Sequence, residues 1–380
     1  MIWERKRATG TGWLERGARN LANPPKTDRE TTEHSMTTQT DHSRKRRTSP
    51  SEQACVVVVT YNHAEYIEDC LETVLANNPG EVVVVDSGSS DDTVAIVETE
   101  FPEVDIFRSE ENLGYGAGNN RAVRRTDSEY VVVLNPDTRV GANCLEELLE
   151  PLSEDGRRIT TPRLLTYDGQ AVNTIGNVVH FSGVAFTRGF GDDPEAYSDP
   201  ERLSGVSGAC FATTRETYQE MGGFEESIFI YMDDVELSWK ANAVGVDIQY
   251  VPSATVYHDY PGVCVDAEKL FHLERGRYII LRKYLGARGV ALVCLSLLTT
   301  ELLTWGYALL LGADGVRAKL RAVADAFSTS VTRVDVDERE LLGLLDRRIP
   351  EDQLRSSAAV RMAISLANRL YETNAVLVSR

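Results

Sequence analysis

One carboxylate, Asp137, follows a buried apolar run, Val131–Leu134, across a proline turn. Four consecutive apolar residues that end at such a turn predict an interior parallel strand. In open α/β sheets, ligands bind just beyond the carboxyl ends of these strands, so Asp137 lies where a metal and a phosphate can meet. An Asp there is more often a turn former or helix N-cap, and its function depends on what else reaches the same edge.

Polar residues also follow the first two predicted strands. The first strand ends in Thr60-Tyr61-Asn62, and the second ends in Asp86-Ser87 before a run of small hydroxyl and acidic residues. A carboxylate at a strand end accepts hydrogen bonds from a base or ribose, and small loop residues let backbone amides approach closely. The same hydroxyl and acidic residues also cap the next helix. The pattern indicates a nucleoside site.

Three acids, Asp233, Asp234 and Glu236, begin a later helix beside an aromatic pair, Phe229 and Tyr231. The helix dipole favours acids at this position, but it accounts for only one or two of them. A carboxylate in such a cluster is able to act as a general base. Further along, His258 ends a short strand, and imidazole with carboxylate is an ordinary ligand set for Mn²⁺ and an acceptable one for Mg²⁺.

Composition excludes some partners and indicates a cellular setting. The chain has 380 residues and a formal net charge of −18, so nucleic acid is not an expected partner. Only 7 of its 40 basic residues are Lys, and an acidic, Lys-poor surface predicts a salt-adapted, halophilic host. The six cysteines form no C-x-x-C pair and no zinc spacing, which favours a reducing, cytoplasmic location.

The elements that must position these residues alternate between strand and helix from Cys55 to Asn135. The predicted strands are 55–60, 81–86, 104–108 and 130–135, and the intervening helices are 64–76, 91–100 and 114–125. Such alternation predicts a parallel, doubly wound α/β sheet. Residues 156–212 show only short strands and loops, and helices are expected near 141–154, 214–221, 234–244 and 266–285, with a strand near 247–251.

The two ends of the chain have a different character. Residues 1–53 lack hydrophobic periodicity and predict a disordered tail, within which Met36 is an alternative start. Residues 290–311 are nearly apolar and long enough for a membrane span, but Glu301 at the centre costs about 3 kcal/mol on an insertion scale. A buried helical hairpin is the alternative. Basic residues among apolar ones in 275–288 favour an anionic membrane surface.

In this order, the motifs resemble the inverting glycosyltransferases of family 2, and most closely their rhamnosyltransferase-like branch. The resemblance covers about residues 54–285 and rests on VVTYN (58–62), VVDSGSSDDT (84–93), ENLGYGAGNNRA (111–122), LNPDT (134–138), GACFATTRE (208–216), GGFEESIFIYMDDVELSWK (222–240) and VYH (256–258). It implies a GT-A fold, a Rossmann-like nucleotide-diphospho-sugar transferase domain over 54–285. Residues 286–380 would then form a helical, membrane-associating extension.

The resemblance also implies residue roles. Asp234 matches the family's catalytic base, with Asp233 as second choice because it replaces a Glu. Asp137 matches the last acid of the D-x-D motif and His258 a further ligand, so the two would hold Mg²⁺ or Mn²⁺. Asn135 replaces the first acid of that motif. The nucleotide-sugar site would comprise Thr60, Tyr61, Asn62, Asp86, Ser87, Asn112, Asn120, Asn135 and Asp137.

The implied reaction moves a sugar from a nucleotide-diphosphate donor to a hydroxyl of a lipid-linked or cell-surface glycan. A single displacement would invert the configuration of the anomeric carbon. The enzyme would be located at the inner face of the cell membrane. Three alternatives were weighed. An NAD enzyme needs a glycine fingerprint after the first strand, where Thr60–His63 stand instead. A nucleotidyltransferase needs a basic glycine-rich loop near the N-terminus. A non-catalytic nucleotide-sugar-binding or scaffold member would not need the acids.

Overall fold

The computed structural model describes residues 48–260, 265–351 and 358–379. The predicted tail up to residue 47, including the alternative start at Met36, therefore lies outside the described residues. The described residues belong to one compact unit, residues 47–380, in which the predicted catalytic region and helical extension are packed together.

The chain forms twelve strands and twelve helices within these described ranges. The strands are β1 (Ala54–Thr60), β2 (Glu81–Asp86), β3 (Asp105–Arg108), β4 (Tyr130–Leu134), β5 (Thr138–Val140), β6 (Arg158–Thr166), β7 (Val172–Thr174), β8 (Asn177–Val179), β9 (Ala185–Thr187), β10 (Glu201–Arg202), β11 (Cys210–Thr214) and β12 (Asp247–His258). The helices are α1 (Ile67–Leu75), α2 (Thr93–Glu100), α3 (Tyr115–Val123), α4 (Cys144–Glu154), α5 (Arg215–Glu220), α6 (Asp233–Ala243), α7 (Ala267–Tyr284), α8 (Ala287–Leu292), α9 (Cys294–Leu310), α10 (Gly312–Ser328), α11 (Glu338–Leu344) and α12 (Ala358–Ser379).

The parallel half of the main sheet follows the prediction. Strands β4, β1, β2 and β3 lie side by side in parallel, in that order. Valines of β1 pair with those of β2 on one side and β4 on the other, and helices cover both faces. Because β1, β2 and β4 are buried on both faces, they read as continuous apolar runs, whereas β3 at the sheet edge is partly exposed. Their carboxyl ends share one edge, where Thr60, Asp86 and Asn135 emerge.

The second half of the sheet is mixed. Strand β11 is antiparallel to both β4 and β6, while β12 runs parallel to β6 and antiparallel to β5. The predicted short strand at 247–251 is the start of β12, which continues for twelve residues with an irregularity between Val251 and Thr255. That continuation carries His258 to the strand that follows Asp137, because His258 pairs with Thr138 of β5.

The apolar segment 290–311 is interrupted at Val293, which separates α8 from α9. No helix in the described ranges is both long enough and apolar enough to cross a membrane. Glu301 turns inward, and its carboxylate contacts Arg277 of α7 at 2.5 Å and Lys319 of α10 at 3.3 Å. The charge that made a span costly is therefore neutralised inside the helical layer.

The basic residues of α7 also point to internal partners. Lys283 contacts Glu225 and Glu236 at 2.5 and 2.8 Å, and Arg277 is almost fully buried beside Glu274. Arg275 pairs with Asp325. Three of the basic side chains behind the predicted membrane contact are therefore matched by carboxylates of neighbouring elements, whereas Arg288 is exposed, and association with an anionic membrane surface stays a prediction.

Candidate functional site

Asp86, at the end of β2, offers a carboxylate oxygen to a ligand. One oxygen, Oδ2, accepts hydrogen bonds from the backbone N–H groups of Gly88 (3.1 Å) and Ser89 (3.0 Å). The other, Oδ1, and the Ser87 hydroxyl are buried without a hydrogen-bond partner in the described residues. Buried polar groups are rarely left unpaired, so the two together indicate a place where a ligand supplies hydrogen bonds.

The loop after β1 forms the facing wall. Asn62 has a left-handed backbone with φ of 59°, and its Oδ1 accepts from the Ser90 N–H at 2.7 Å. The backbone oxygen of Thr60 accepts from the Ser87 N–H at 2.8 Å. Tyr61 leaves 47% of its area exposed at this edge. The structure thus places the five residues predicted at the ends of β1 and β2 together at one sheet edge, beside the exposed ring of Tyr61.

Asp137 and His258 face one another. His258 Nε2 lies 3.4 Å from Asp137 Oδ1, and that carboxylate oxygen has no hydrogen-bond partner in the described residues. The other ring nitrogen of His258 is 3.0 Å from Asn173 Oδ1. When Nδ1 donates to that oxygen, Nε2 carries a lone pair aimed at a carboxylate. Two lone-pair groups facing each other form a fitting pair of ligands for a cation.

The charge state of Asp137 suits this role. Burial opposes its ionisation, but a hydrogen bond from the His258 ring, together with the positive charge of His258 and His63 in their protonated forms, outweighs burial and holds the pKa of Asp137 below its ordinary value. Across the described residues there is no group of three or more His, Cys, Asp or Glu side chains that could hold a metal ion. A divalent cation here would therefore take its remaining ligands from phosphate and water, as Mg²⁺ commonly does.

Residues that the sequence did not single out surround this pair. His63 accepts a hydrogen bond from the Tyr61 N–H at 3.1 Å, and the Tyr66 hydroxyl donates to Asp259 at 2.5 Å. A cavity of about 460 Å³ opens beside His258 and Asp259 and is bounded by residues 166–171 and Tyr260. His63, directly after β1, was the available signal, but its distance from Asp137 along the chain concealed their electrostatic interaction.

Backbone pairing connects the two ends of the site. The Asn135 N–H donates to the Ala209 oxygen at 2.9 Å, and the neighbouring Gly208 N–H donates to the Asp234 carboxylate at 3.0 Å. The segment that follows β4 thus carries Asp137, and the paired segment before β11 carries Gly208, which holds Asp234. Asn135 itself contributes no charge.

The two acids at the start of α6 share an environment that disfavours full ionisation. Burial, reinforced by the charge of Asp234, raises the pKa of Asp233 to about 8. Burial also raises the pKa of Asp234, although hydrogen bonds from Gly208 and Asn177 partly offset it. The pair therefore retains a proton near neutral pH. When either acid loses its proton, the resulting carboxylate is a stronger base than an exposed carboxylate.

Asn177, in β8, orients Asp234. Its Nδ2 donates to Asp234 Oδ2 at 2.8 Å and to the Val206 oxygen at 2.8 Å. Asp234 Oδ1 accepts only from the adjacent Val235 N–H at 2.8 Å among the described residues, so one oxygen is anchored while the other retains acceptor capacity. Residues 156–212 lack a clear pattern, so no sequence signal indicated Asn177.

An aromatic rim borders the acids. Phe229 and Tyr231 are 40% and 43% exposed, and both rings contact the ring of His272, with centroids 6.2 and 6.1 Å away. Tyr231 has a φ of 76°, a strained conformation for a bulky residue, and such strain clusters at ligand-binding sites. Lys269 lies over the Tyr231 ring at 4.9 Å. Exposed aromatic rings beside the two acids are suited to stacking on a sugar.

Two predicted nucleotide residues have internal roles. Asn112 Oδ1 accepts from the Gly114 N–H at 2.9 Å, which shapes the turn before α3. Asn120 is buried, and its amide makes four hydrogen bonds, to the Phe224 N–H and oxygen, Tyr218 and Glu226. Its hydrogen-bonding capacity is thereby filled by internal partners, and its contact with a nucleotide stays a prediction, as do those of the other predicted residues.

Comparison with known proteins agrees with the geometry. The family described as glycosyl transferase family 2 matches residues 55–222. An N-acetylglucosaminyl-diphospho-decaprenol L-rhamnosyltransferase of Mycobacterium tuberculosis is 29% identical over 231 residues, which cover 53% of this chain and 75% of that protein. The low-salt glycan biosynthesis hexosyltransferase Agl10 of Haloferax volcanii is 25% identical over 213 residues, covering 54% of this chain and 67% of the relative.

Among solved structures, GalNAc-T7 with UDP, GalNAc and Mn²⁺ is similar with a TM-score of 0.50 and 18% sequence identity. The similarity covers 61% of this chain and 48% of that one. At this identity the likeness concerns the fold, which is the GT-A arrangement predicted from the motifs. The mixed sheet with helices on both faces and a C-terminal helical region agrees with it.

Proposed function

We propose, from the premise that this chain belongs to glycosyl transferase family 2, that it transfers a sugar from a nucleotide-diphosphate donor to a glycan hydroxyl with inversion. The observation that carries the proposal is the pairing of two carboxylate environments along one sheet edge. Asp137 is held ionised beside two imidazoles, whereas Asp233 and Asp234 resist ionisation together. Groups driven apart in pKa in this way serve different roles in one reaction.

On the donor side, Asp86, Ser87 and the Thr60–Asn62 loop would hold the nucleoside. The unpaired Asp86 Oδ1 would accept a hydrogen bond from base or ribose. Asp137 and His258 would hold Mg²⁺ or Mn²⁺ against the diphosphate, and the cation, when bound, would offset negative charge on the leaving group. Asn173 fixes the orientation of the His258 ring in this arrangement.

On the acceptor side, Asp234 would remove the proton of the attacking hydroxyl. Asn177 and the Gly208 N–H anchor one of its oxygens, which leaves the other to receive the proton. The nucleophile then attacks the anomeric carbon from the face opposite the diphosphate in one displacement, so the configuration inverts. Asp233 is the second candidate for this base, because burial and Asp234 raise its pKa to about 8.

For the acceptor, we propose a lipid-linked or cell-surface glycan, and for the location, the cytoplasmic face of the membrane. The printed name of the mycobacterial relative describes a diphospho-decaprenol acceptor for that protein. We also propose a salt-adapted host, since the formal charge is −18 and Lys is scarce.

A donor screen followed by product analysis tests the proposal. Nucleoside-diphosphate sugars, including rhamnose donors, would first be screened for a thermal shift that needs Mg²⁺ or Mn²⁺. The stabilising donor would then be incubated with a polyprenyl-diphosphate sugar, and the new linkage examined by NMR. We expect a product whose anomeric configuration is opposite to the donor's. Retention of configuration, or donor binding without any transfer, would contradict the proposal, and the latter would favour a binding or scaffold role.

A further inference from the structure

Helix α9 has its polar and apolar faces reversed relative to a helix on the surface of a water-soluble protein. Its polar residues face the interior. The Ser296 hydroxyl is fully buried and donates to Asn374 Oδ1 at 2.7 Å, and the Thr300 hydroxyl donates to Ser182 Oγ at 2.8 Å. Glu301 contacts Arg277 and Lys319 on the same inner side. Inward-facing polar groups with internal partners leave the opposite face of the helix to apolar residues.

That opposite face carries what we call the α9 leucine stripe, Leu295, Leu298, Leu302 and Leu309. These side chains are 38, 63, 77 and 67% exposed, and their spacing of three, four and seven residues places them on one side of the helix. Glu301 is the one charged residue between Gly289 and Asp314, and it faces inward. The stripe is therefore a continuous, uncharged apolar surface, which a water-soluble protein rarely leaves uncovered.

We infer that the α9 leucine stripe lies in the plane of a lipid bilayer and sits in its interfacial region, holding the proposed active site at the membrane surface. The inference rests on the proposed lipid-linked acceptor, whose polyprenyl chain would reside in that bilayer. Helix α9 has 17 residues, about 25 Å, and no described helix is suited to cross a membrane, so it lies on the bilayer rather than through it.

The area of the stripe favours lipid over a second copy of the chain. A helix about 25 Å long and about 12 Å wide presents about 300 Å² on one side. A stable protein interface buries about 800 Å² on each partner. A bilayer accepts a single apolar helix face without any complementary shape, since insertion depends on apolar area alone.

The charge distribution determines which lipid contact is involved. Arg275, Arg277 and Lys283 of α7 are matched by internal carboxylates, Arg282 donates to backbone oxygens, and the chain as a whole is acidic. Anionic head groups therefore contribute no net attraction, and the leucines carry the binding. Neutral vesicles should bind the protein at least as well as anionic vesicles do.

Vesicle flotation tests the inference. Full-length protein would be floated with vesicles of phosphatidylcholine alone and of phosphatidylcholine with one third phosphatidylglycerol. We expect flotation with both, and a loss of at least roughly tenfold in partitioning for Leu298→Gln/Leu302→Gln, since each exposed leucine transfers into an apolar phase favourably. Leu320→Gln is the matched control: Leu320 is 55% exposed on α10 with exposed Arg317 and Arg321 nearby, and its variant should float like wild type.

Three outcomes would overturn the inference. The first is wild type that stays unbound with both vesicles, and the second is wild type that binds only the anionic vesicles and detaches in salt. The third is a dimer in analytical ultracentrifugation that the double variant dissociates, which would identify a second copy as the occupant. Metal-dependent donor binding and transfer to a short water-soluble acceptor are measured in parallel. They should be unchanged in the double variant, which separates failure of the membrane inference from failure of the proposed function.

Discussion

The two carboxylate centres of this protein differ in what faces them. Asp137 faces imidazoles, at 3.4 Å from His258 Nε2, and its pKa falls below the ordinary value. Asp233 faces a like charge within a buried helix start, and its pKa rises to about 8. Burial alone would raise both, so the partner decides the direction. The comparison shows how a single sheet edge can hold one group that binds positive charge and another that takes up a proton.

The largest effect should come from removing the proposed base. Asp234→Asn keeps the shape and removes the proton acceptor, so we expect kcat to fall by a factor of about 10²–10⁴. Donor affinity, measured by titration calorimetry in the presence of Mn²⁺, should stay close to wild type. Asp233→Asn is the matched control, and it should retain far more activity. The reverse ranking of the two variants would transfer the role of base to Asp233.

Removing the anionic ligand should weaken metal-dependent donor binding and also slow the transfer step, because the cation would offset charge on the leaving group. For Asp137→Asn, we expect donor affinity in Mn²⁺ to fall by at least roughly tenfold, because the cation loses its protein carboxylate. In EDTA the variant and wild type should bind the donor equally weakly. A loss of similar size in EDTA would mean that Asp137 contacts the donor directly and that the cation site is incorrectly assigned.

Two asparagines on consecutive strands, Asn173 in β7 and Asn177 in β8, allow the same comparison for the residues that support the two centres. Asn177 anchors Asp234 and Asn173 meets His258, both at hydrogen-bonding distance. Removal of such supports commonly costs about 10–100-fold. We expect Asn177→Ala to lower kcat and Asn173→Ala to weaken metal-dependent donor binding. Steady-state kinetics and calorimetry on both variants would sharpen the comparison, and an identical defect in both would indicate a general loss of structure.

The smallest effect concerns stability. Burial and the charge of Asp234 raise the pKa of Asp233 in the folded protein from its ordinary value of 3.8 to about 8. The folded state therefore binds more protons than the unfolded state between these values, and stability falls as pH rises through that window. Asp233→Asn removes this penalty. Its Tm should match wild type near pH 4 and exceed it by about 2–4 °C near pH 8. A constant difference across the window would argue against the raised pKa.

Much of the donor half could be predicted from the sequence. Valine-rich runs have few alternatives to buried parallel strands, and parallel strands bring their carboxyl ends to one edge. Thr60, Asp86 and Asp137 could therefore be placed together before any contact was known. Helix starts were less accurate: α1 begins at Ile67 rather than at residue 64, because His63 and its neighbours turn into the site first.

The residues that support Asp234 and His258 could not be predicted in the same way. Asn173 and Asn177 belong to strands of only three residues, too short to give a periodic signal. The internal role of Asn120, which braces the turn at Phe224, gave no signal either, because a polar residue in a glycine-rich motif resembles a ligand contact. For α9, the apolar count suggested a span, but the side to which Glu301 turns depends on Arg277 and Lys319, which are distant in sequence.

The most direct test of the two-centre account is a titration of the nucleoside-diphosphate product into Asp137→Asn and Asp234→Asn, with Mn²⁺ and with EDTA. We expect Asp234→Asn to bind the diphosphate as wild type does and to retain the full Mn²⁺ dependence of binding, whereas Asp137→Asn should lose that dependence. Loss of Mn²⁺ dependence in Asp234→Asn, or its retention in Asp137→Asn, would contradict the division of roles between the two carboxylate centres.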